Sequence, residues 1–238
     1  MGTDNLFSKK RASRKKREEA VRKQRKIQWL IMCEGEKTEP AYFRGLVDSL
    51  NLSSNIELEI KTCGEGFNTT SLVKRVEHYF AYCDKHCGVK RIPYEKIIFV
   101  FDRDSFGAKD FNNAINMAQN YSGSIVAWSN ESFELWLCLH FHYIQSALSR
   151  NAYNDILTDL FRSKGIFTDK EKYDPDGKKD PALFYTIMEA GGSLKSAIRN
   201  AKKLAKEKDL TNPAKANPAT MVFRVAEILI IESEQSIT

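Results

Sequence analysis

The sequence lacks the long apolar segments and the paired cysteines that mark membrane and secreted proteins. None of its apolar runs approaches the roughly 20 residues that a helix needs to cross a bilayer. The first residues are basic and include no apolar stretch, so we expect no secretory signal. The five cysteines are an odd number and lie within apolar or helical patterns, which indicates reduced thiols. We therefore expect a cytoplasmic protein with no membrane association.

Internal repeats are also absent from the 238 residues, and the composition is that of an ordinary globular protein. Hydrophobic residues make up 42% of the chain and charged residues 29%. A chain of this length can bury a core of its own. It suffices for one large domain, or for one domain with a smaller subdomain.

Positive charge is concentrated at the start of the chain. Residues 1–26 hold eleven Lys/Arg and three Asp/Glu, whereas the remainder carries a slight excess of acids. Such a basic arm can neutralise nucleic-acid phosphates and release their counterions. The alternative is a solvated, partly disordered tail without a partner.

Strands and helices alternate after this arm. Apolar runs bounded by turn residues predict four strands, and each is followed by a helical pattern. The predicted strands are residues 27–33, 56–60, 96–101 and 124–128. This alternation predicts an α/β fold with a mostly parallel four-stranded sheet flanked by helices and joined by right-handed crossovers.

The second half of the chain has a different pattern. We predict a core domain over residues 27–143, and a helical insertion and cover over residues 144–238 that packs on this core. Ser193 is a good N-cap for a helix over residues 194–208. Residues 217–220 are predicted to start the last helix, and residues 131–143 to form an apolar helix after the fourth strand.

Acidic residues follow three of the predicted strands. Glu34 follows the first strand, Asp102 and Asp104 follow the third, and Glu131 and Glu134 follow the fourth. In parallel sheets the functional groups gather at the carboxyl ends of the strands. Residues two apart in an extended segment point the same way, and carboxylates bind hard cations such as Mg²⁺. The alternative is that these acids cap helices or line solvated turns.

Glycine follows the first of these acids. Gly35 lets the chain turn away from the strand and lets a phosphate approach closely. Two-metal sites hydrolyse phosphodiesters by activating water and neutralising charge on the reacting oxygens. The combination of a strand ending in Glu-Gly and a later strand ending in Asp-x-Asp is more specific than either motif alone.

This order of motifs resembles the Toprim fold, and the chain is more closely similar to the RloB-like family. The matching stretches are "IMCEGEKTEPAYF", "IIFVFDRDSF", "SNESFELWLCLHF" and "NPATMV". The resemblance implies a Mg²⁺- or Mn²⁺-dependent nuclease of bacterial anti-phage defence, of the abortive-infection type. Members of this family are often encoded beside an ATPase. It carries functional roles onto Glu34, Asp102, Asp104 and Glu134. The family commonly has proline where this chain has Glu131.

The resemblance implies a role for each acid. Asp102 and Asp104 are expected to bind metal, and Glu34 either binds metal or acts as the general base for the attacking water. Glu134 either holds a second metal or is an acid favoured by the dipole at a helix N-terminus. Whether Glu131 or Glu134 faces the metal stays open.

Basic residues outside the arm are candidates for nucleic-acid contacts. Lys37 and Arg103 flank the acids, with surface salt bridges as the alternative. A stripe on the predicted helix 194–208 has the spacing of one helical face, and a merely solvated face is the alternative. The stripe consists of Lys195, Arg199, Lys202 and Lys206.

Histidines give weaker signals. His140 does not share a helical face with Glu134, which favours a core or interface position. Another group has a spacing that fits a tetrahedral zinc site poorly. This group is His78, Cys83, His86 and Cys87.

The sequence therefore predicts a metal-dependent endonuclease acting on RNA, with tRNA as one option, or on DNA. The alternative is a non-catalytic nucleic-acid-binding or sensor subunit that works through an ATPase partner. Homo-oligomerisation is a further possibility. Aromatic residues near the end of the sheet are expected to offer apolar surface to a partner, and these are Trp128, Phe133, Trp136 and Phe141.

Overall fold

The structure is a computed structural model that describes six ranges of the chain. These are residues 27–52, 56–62, 70–76, 94–104, 106–175 and 180–235. The predicted basic arm, residues 1–26, lies outside the described residues. The group considered for zinc lies outside them as well.

A mixed β-sheet forms the centre of the described fold. Its strands are β1 (Ile27–Cys33), β2 (Ile56–Thr62), β3 (Lys96–Asp102), β4 (Ser124–Asn130) and β5 (Ala219–Thr220). The order across the sheet is β2-β1-β3-β4-β5. The first four strands pair in parallel and β5 runs antiparallel to β4. The predicted α/β fold with a mostly parallel sheet is confirmed, and β5 is a strand that the prediction missed.

Helices flank this sheet. They are α1 (Thr38–Ser49), α2 (Ala108–Gln119), α3 (Glu134–Leu139), α4 (Arg150–Ser163), α5 (Leu183–Glu189), α6 (Leu194–Glu207) and α7 (Val222–Gln235). Residues 70–76 are also helical. Ser193 caps α6 as predicted, because its side chain accepts a hydrogen bond from the Ser196 amide. In the described ranges, no helix combines the length and the apolarity that spanning a membrane requires.

Two predicted helix boundaries are wrong. The helix predicted for residues 131–143 is the shorter α3, which begins at Glu134 and ends at Leu139, and β4 continues before it through Asn130, where it pairs with Ala219. The Asn130 side chain also donates hydrogen bonds to the carbonyls of Pro213 and Ala214, each at 3.1 Å. The last helix begins at Val222, since the residues before it belong to β5.

The core is formed by apolar side chains of the sheet and the helices on it. β3 is buried from Ile97 to Asp102, as expected of a strand that is covered on both faces. The expectation that Trp128, Phe133 and Trp136 offer surface to a partner is wrong, because all three are buried. Phe141 is partly buried and packs against the same core.

Tyr42 is the centre of an aromatic cluster that connects α1 to α3 and α5. Its ring makes edge-to-face contacts with Phe133, Trp136, His140 and Phe184, at centroid distances of 5.5–6.2 Å. Such contacts stabilise aromatic pairs beyond the area that they bury. The cluster therefore fixes α1 and α3, the two helices that follow the acidic strand ends of β1 and β4.

Helices from the second half of the chain pack on the first half. α4 and α6 contact α3, α7 contacts β4, and α5 contacts α1. The predicted domain boundary at residue 143 and the Toprim-like assignment stay predictions.

Gly45 gives a test of the packing between α1 and α5. A Cβ at this position would lie 2.7 Å from the Cβ of Phe184, which neither helix can accommodate without moving. We expect Gly45→Ala to lower the free energy of unfolding by about 1–3 kcal/mol, measured by urea denaturation. The exposed neighbour Arg44 gives a control, and Arg44→Ala should change stability by less than about 0.5 kcal/mol. Equal stability of the two variants would contradict this account.

Candidate metal centre

Two parallel strand pairs bring the first acids together. β1 pairs with β3, and β3 pairs with β4, so that their carboxyl ends share one edge of the sheet. The Glu34 amide continues the ladder by donating to the Val100 carbonyl at 3.0 Å. The Glu34 carboxylate accepts a hydrogen bond from the Asp102 amide at 3.3 Å. Glu34 and Asp102 are therefore neighbours at this edge, the arrangement that the sequence predicted.

Asp102 is the most deeply buried of the acids predicted to be catalytic, with 5% of its surface exposed. One carboxylate oxygen, Oδ2, accepts hydrogen bonds from the Phe133 amide at 2.9 Å and from Arg150 Nη2 at 3.1 Å. The other oxygen, Oδ1, is buried and has no hydrogen-bond partner among the described residues. A buried carboxylate oxygen without a partner is costly, and a bound cation is one way to satisfy it.

Asp104 reaches the same place through a turn and not through an extended strand. The strand ends at Asp102, and Asp104 has a positive φ of 37°, a conformation that Asp tolerates better than most residues. The Asp104 amide donates to the Glu131 carbonyl at 3.0 Å, and its Oδ2 lies 3.1 Å from Arg150 Nη1. Asp102 and Asp104 thus converge on one guanidinium.

Glu134 joins these acids from the next element. It is the first residue of α3, its side chain is buried, and its Oε2 lies 3.5 Å from Arg150 Nε. Glu131 is partly buried, and its backbone carbonyl accepts the Asp104 amide. Of the two acids that the sequence left open, Glu134 is therefore the one whose carboxylate lies beside Arg150 and the other acids.

Arg150 is a residue that the sequence analysis missed. It is the first residue of α4, which begins at the N-cap Ser149, and it reaches back to three carboxylates. Nothing in its local sequence distinguishes it from other surface arginines. The available signal was indirect, since several acids gathered at one sheet edge need a positive partner.

Glu39 is a second missed residue, and it changes the interpretation of Gly35. The Glu39 side chain is buried and its carboxylate lies against Gly35. A Cβ at Gly35 would overlap that carboxylate. The space that this glycine leaves open is therefore occupied by Glu39, where the sequence suggested an approaching phosphate.

The five acids at this edge are called the acid cluster below. They are Glu34, Glu39, Asp102, Asp104 and Glu134. Burial is the main cause that raises the pKa of Glu34 to about 8, and the hydrogen bond from the Asp102 amide partly opposes it. Burial also raises the pKa of Glu39 to about 7, with a further contribution from the charge of Glu134. Burial and the charge of Glu39 raise the pKa of Asp102 well above its ordinary value.

The acid cluster has the donor chemistry of a site for a hard divalent cation. Its ligands are all carboxylate oxygens, which Mg²⁺ and Mn²⁺ prefer, and Asp102 Oδ1 is free to accept a metal. In the described ranges, no three His, Cys, Asp or Glu side chains are arranged as a ready-made metal site. At this edge the guanidinium of Arg150 contacts Asp102, Asp104 and Glu134. The residues therefore fit a metal by their chemistry, and a guanidinium occupies part of the space.

Comparison with known proteins identifies the family. The RloB-like protein family matches residues 29–229, a range that includes the whole acid cluster and Arg150. The chain belongs to the RloB-like family. No match was found among curated proteins or among solved structures.

This RloB-like chain has a cavity of about 540 Å³, and the residues that line it do not include any of the five acids. Lys37, Thr38, Lys172 and Tyr173 are among the residues that line it. The charges of Glu134 and Glu39 contribute to a raised pKa of Tyr173, whose main cause is burial. Lys37, which the sequence proposed as a nucleic-acid contact, is therefore on the wall of this cavity.

The remaining basic candidates of the RloB-like chain differ in their surroundings. Arg103 follows Asp102 directly and is partly buried. Lys195, Arg199 and Lys206 are exposed on α6, and the fourth member of the stripe, Lys202, forms an ion pair with Glu227. One of the four charges on the stripe is thus already neutralised by α7.

His140 is a core residue in this structure. Only 1% of its surface is exposed, and its Nε2 lies 2.9 Å from the Tyr42 hydroxyl. Burial lowers the pKa of His140 to about 3, so the ring is neutral at ordinary pH. It supports the aromatic cluster and stands apart from the acids.

The raised pKa values predict how stability depends on pH in the absence of metal. Glu34 and Glu39 retain protons in the folded protein at pH values where the unfolded chain has lost them. Their contribution to stability is present below about pH 4.5 and is lost as pH rises to about 8. We expect the free energy of unfolding, measured with urea in EDTA, to fall across this window.

Single substitutions distinguish this cause from a general pH effect. Glu39→Gln and Glu34→Gln should each flatten the fall, because glutamine does not titrate. Glu36→Gln, at an exposed position in the same turn, should leave it unchanged. A wild-type stability that is constant between pH 5 and 8 would contradict the burial of protonated carboxyl groups.

Proposed function

We propose that this RloB-like protein is a divalent-metal-dependent nuclease that hydrolyses phosphodiester bonds in nucleic acid. The observation that carries the proposal is the buried Asp102 carboxylate, which has one unpartnered oxygen within a cluster of five acids. Among the described residues, Arg150 forms ion pairs with three of these acids. Carboxyl groups held this close together keep protons in the absence of metal, and a multivalent cation would favour their ionised form.

Each residue of the site has a proposed role. Asp102, Asp104 and Glu34 would hold Mg²⁺ or Mn²⁺, and Glu134 would hold a second ion. When bound, such ions activate water and neutralise charge on the reacting oxygens of a phosphodiester. The Asp102 amide orients the Glu34 carboxylate by its hydrogen bond, which suits this side chain to bind metal or to accept the proton of the attacking water.

A nucleic-acid substrate is supported by the exposed basic residues of α6. Lys195, Arg199 and Lys206 face solvent on this helix, and α6 packs against α3, which begins with Glu134. This exposed face would attract a phosphate backbone. The substrate class proposed is RNA, including tRNA, or DNA.

A second function is favoured by Arg150. Because its guanidinium already contacts Asp102, Asp104 and Glu134, a non-catalytic nucleic-acid-binding or sensor subunit is the alternative. Such a subunit would use the acid cluster as a closed ion-pair network and would act through an ATPase partner. For either function, the family resemblance supports a role as an effector in bacterial anti-phage defence.

Cleavage assays with matched variants test the nuclease. We expect the purified chain to cleave at least one of plasmid, single-stranded DNA or total tRNA when Mg²⁺ or Mn²⁺ is present. Asp102→Asn and Asp104→Asn should lower the cleavage rate by about 100-fold or more, since a metal ion contributes several kcal/mol to such reactions. Glu36→Gln, the exposed acid next to the site, should cleave as the wild type does.

Calorimetric titration with Mn²⁺ separates the two functions. Metal binding that is lost in Asp102→Asn, together with cleavage, would support the nuclease. Equal cleavage by Asp102→Asn and wild type would identify a contaminant and remove the support. An absence of both metal binding and cleavage, with nucleic-acid binding retained, would favour the subunit. If the variant Glu34→Gln binds metal normally but cleaves slowly, Glu34 is assigned to proton transfer.

The basic face of α6 gives a separate prediction. The triple variant Lys195→Glu/Arg199→Glu/Lys206→Glu should bind nucleic acid more weakly and with a shallower dependence on salt, because fewer counterions are released. Fluorescence anisotropy at several salt concentrations measures both effects. A control with the same change of charge is Lys109→Glu/Lys164→Glu/Lys170→Glu, at exposed positions elsewhere. Equal loss of affinity in the control would show that only net charge matters.

A further inference from the structure

We propose that Arg150 is the resident cation of the acid cluster, that a divalent ion displaces its guanidinium, and that the displaced guanidinium then contacts the scissile phosphate. This inference rests on the proposed function, because it assigns a residue to the same site. It makes Arg150 both a competitor of the metal and a contact of the substrate.

The geometry of the guanidinium supports the first part. Its three nitrogens face three different carboxylates, with Nη2 at 3.1 Å from Asp102, Nη1 at 3.1 Å from Asp104 and Nε at 3.5 Å from Glu134. Arginine more commonly forms a parallel, two-point pair with a single carboxylate. Here it lies at the centre of three acids, which is the position that a bridging cation would take.

The contacts also leave the acids incompletely satisfied. The distance from Nε to Glu134 is too long for a good hydrogen bond, and neither atom of this pair has another hydrogen-bond partner in the described residues. Asp102 Oδ1 is also unpartnered there. A single positive charge therefore balances only part of the acid cluster, and a divalent ion would match both its charge and its open oxygens better.

The side chain is placed so that it can leave without unfolding its helix. Arg150 is at the first position of α4, and about a third of its side chain is exposed, at 31%. The rest of α4 is anchored by buried Tyr153, Leu157 and Phe161, and its start is fixed by the cap at Ser149. A rotation of the arginine side chain alone therefore suffices to release the acids.

A released guanidinium would remain at the rim of the same site. Arginine binds phosphate oxygens through charge-assisted hydrogen bonds and stays protonated throughout the ordinary pH range. Bound metal would neutralise the acids that formerly held the guanidinium. An incoming phosphate then becomes the best partner of the guanidinium. Metal loading and substrate binding would thus be coupled through one side chain.

Arg150→Gln tests the competition without relying on cleavage. We expect this variant to bind Mn²⁺ at least about tenfold more tightly than wild type by calorimetry, because no guanidinium has to be displaced from the acids. In EDTA its melting temperature should be lower than that of wild type, and saturating Mn²⁺ should restore it. Arg224→Gln removes the same charge from an exposed position on α7 and should change neither quantity.

Arg150→Lys keeps the positive charge but cannot reach three acids at once, and it provides a second test if Arg150→Gln does not fold. Its affinity for Mn²⁺ should lie between those of wild type and Arg150→Gln. An Mn²⁺ affinity for Arg150→Lys or Arg150→Gln equal to or weaker than that of wild type would overturn the competition. This readout holds even for a protein that cleaves nothing, so it separates failure of this inference from failure of the proposed function.

The phosphate contact is tested at saturating Mn²⁺, where competition no longer matters. There we expect Arg150→Gln to have a kcat/KM lower than wild type by about 10- to 100-fold, the effect of losing a charged contact to the reacting phosphate. A partial recovery in Arg150→Lys would support a direct charge contact. Unchanged kcat/KM in Arg150→Gln at saturating metal would show that Arg150 competes with metal but does not touch the substrate.

Discussion

Parallel pairing of β1, β3 and β4 is the constraint on which the candidate site depends. Because these strands run in the same direction, whatever follows each of them in the sequence must emerge at the same edge of the sheet. The acids that follow them are forced together although they are far apart along the chain. The register is fixed by apolar side chains buried inside the sheet. The fold therefore holds these carboxylates close together despite their mutual repulsion.

This repulsion among the acids is offset by several small interactions and one large one. Backbone amides donate to Glu34 and to Asp102, and the guanidinium of Arg150 faces three carboxylates. Burial raises the pKa values of Glu34 and Glu39, with a smaller contribution from the neighbouring acids, and their protonation removes part of the remaining repulsion. Replacing a buried ion pair by apolar residues is often neutral or stabilising, so burial of these acids is weak evidence for a role in stability alone. It is consistent with the cation-dependent function proposed above.

The sequence predicted the parts of this site that depend on local patterns. Buried strands have continuous apolar runs, so the strand ends, and with them the neighbouring positions of Glu34 and Asp102, were predictable. Arg150 and Glu39 were not, because a long side chain reaching across the fold leaves no periodic signal. β5 was missed because two residues are too few to show alternation, and the start of the last helix was predicted too early for the same reason.

β5 also makes the end of β4 depend on a distant part of the chain. The Asn130 side chain at the end of β4 takes its hydrogen-bond partners from Pro213 and Ala214, which lie 83 and 84 positions later in the sequence. In the described residues β4 has Ala219–Thr220 as its outer neighbour. The strand end from which the chain leads to Glu134 is therefore held by a segment that contributes no member of the acid cluster.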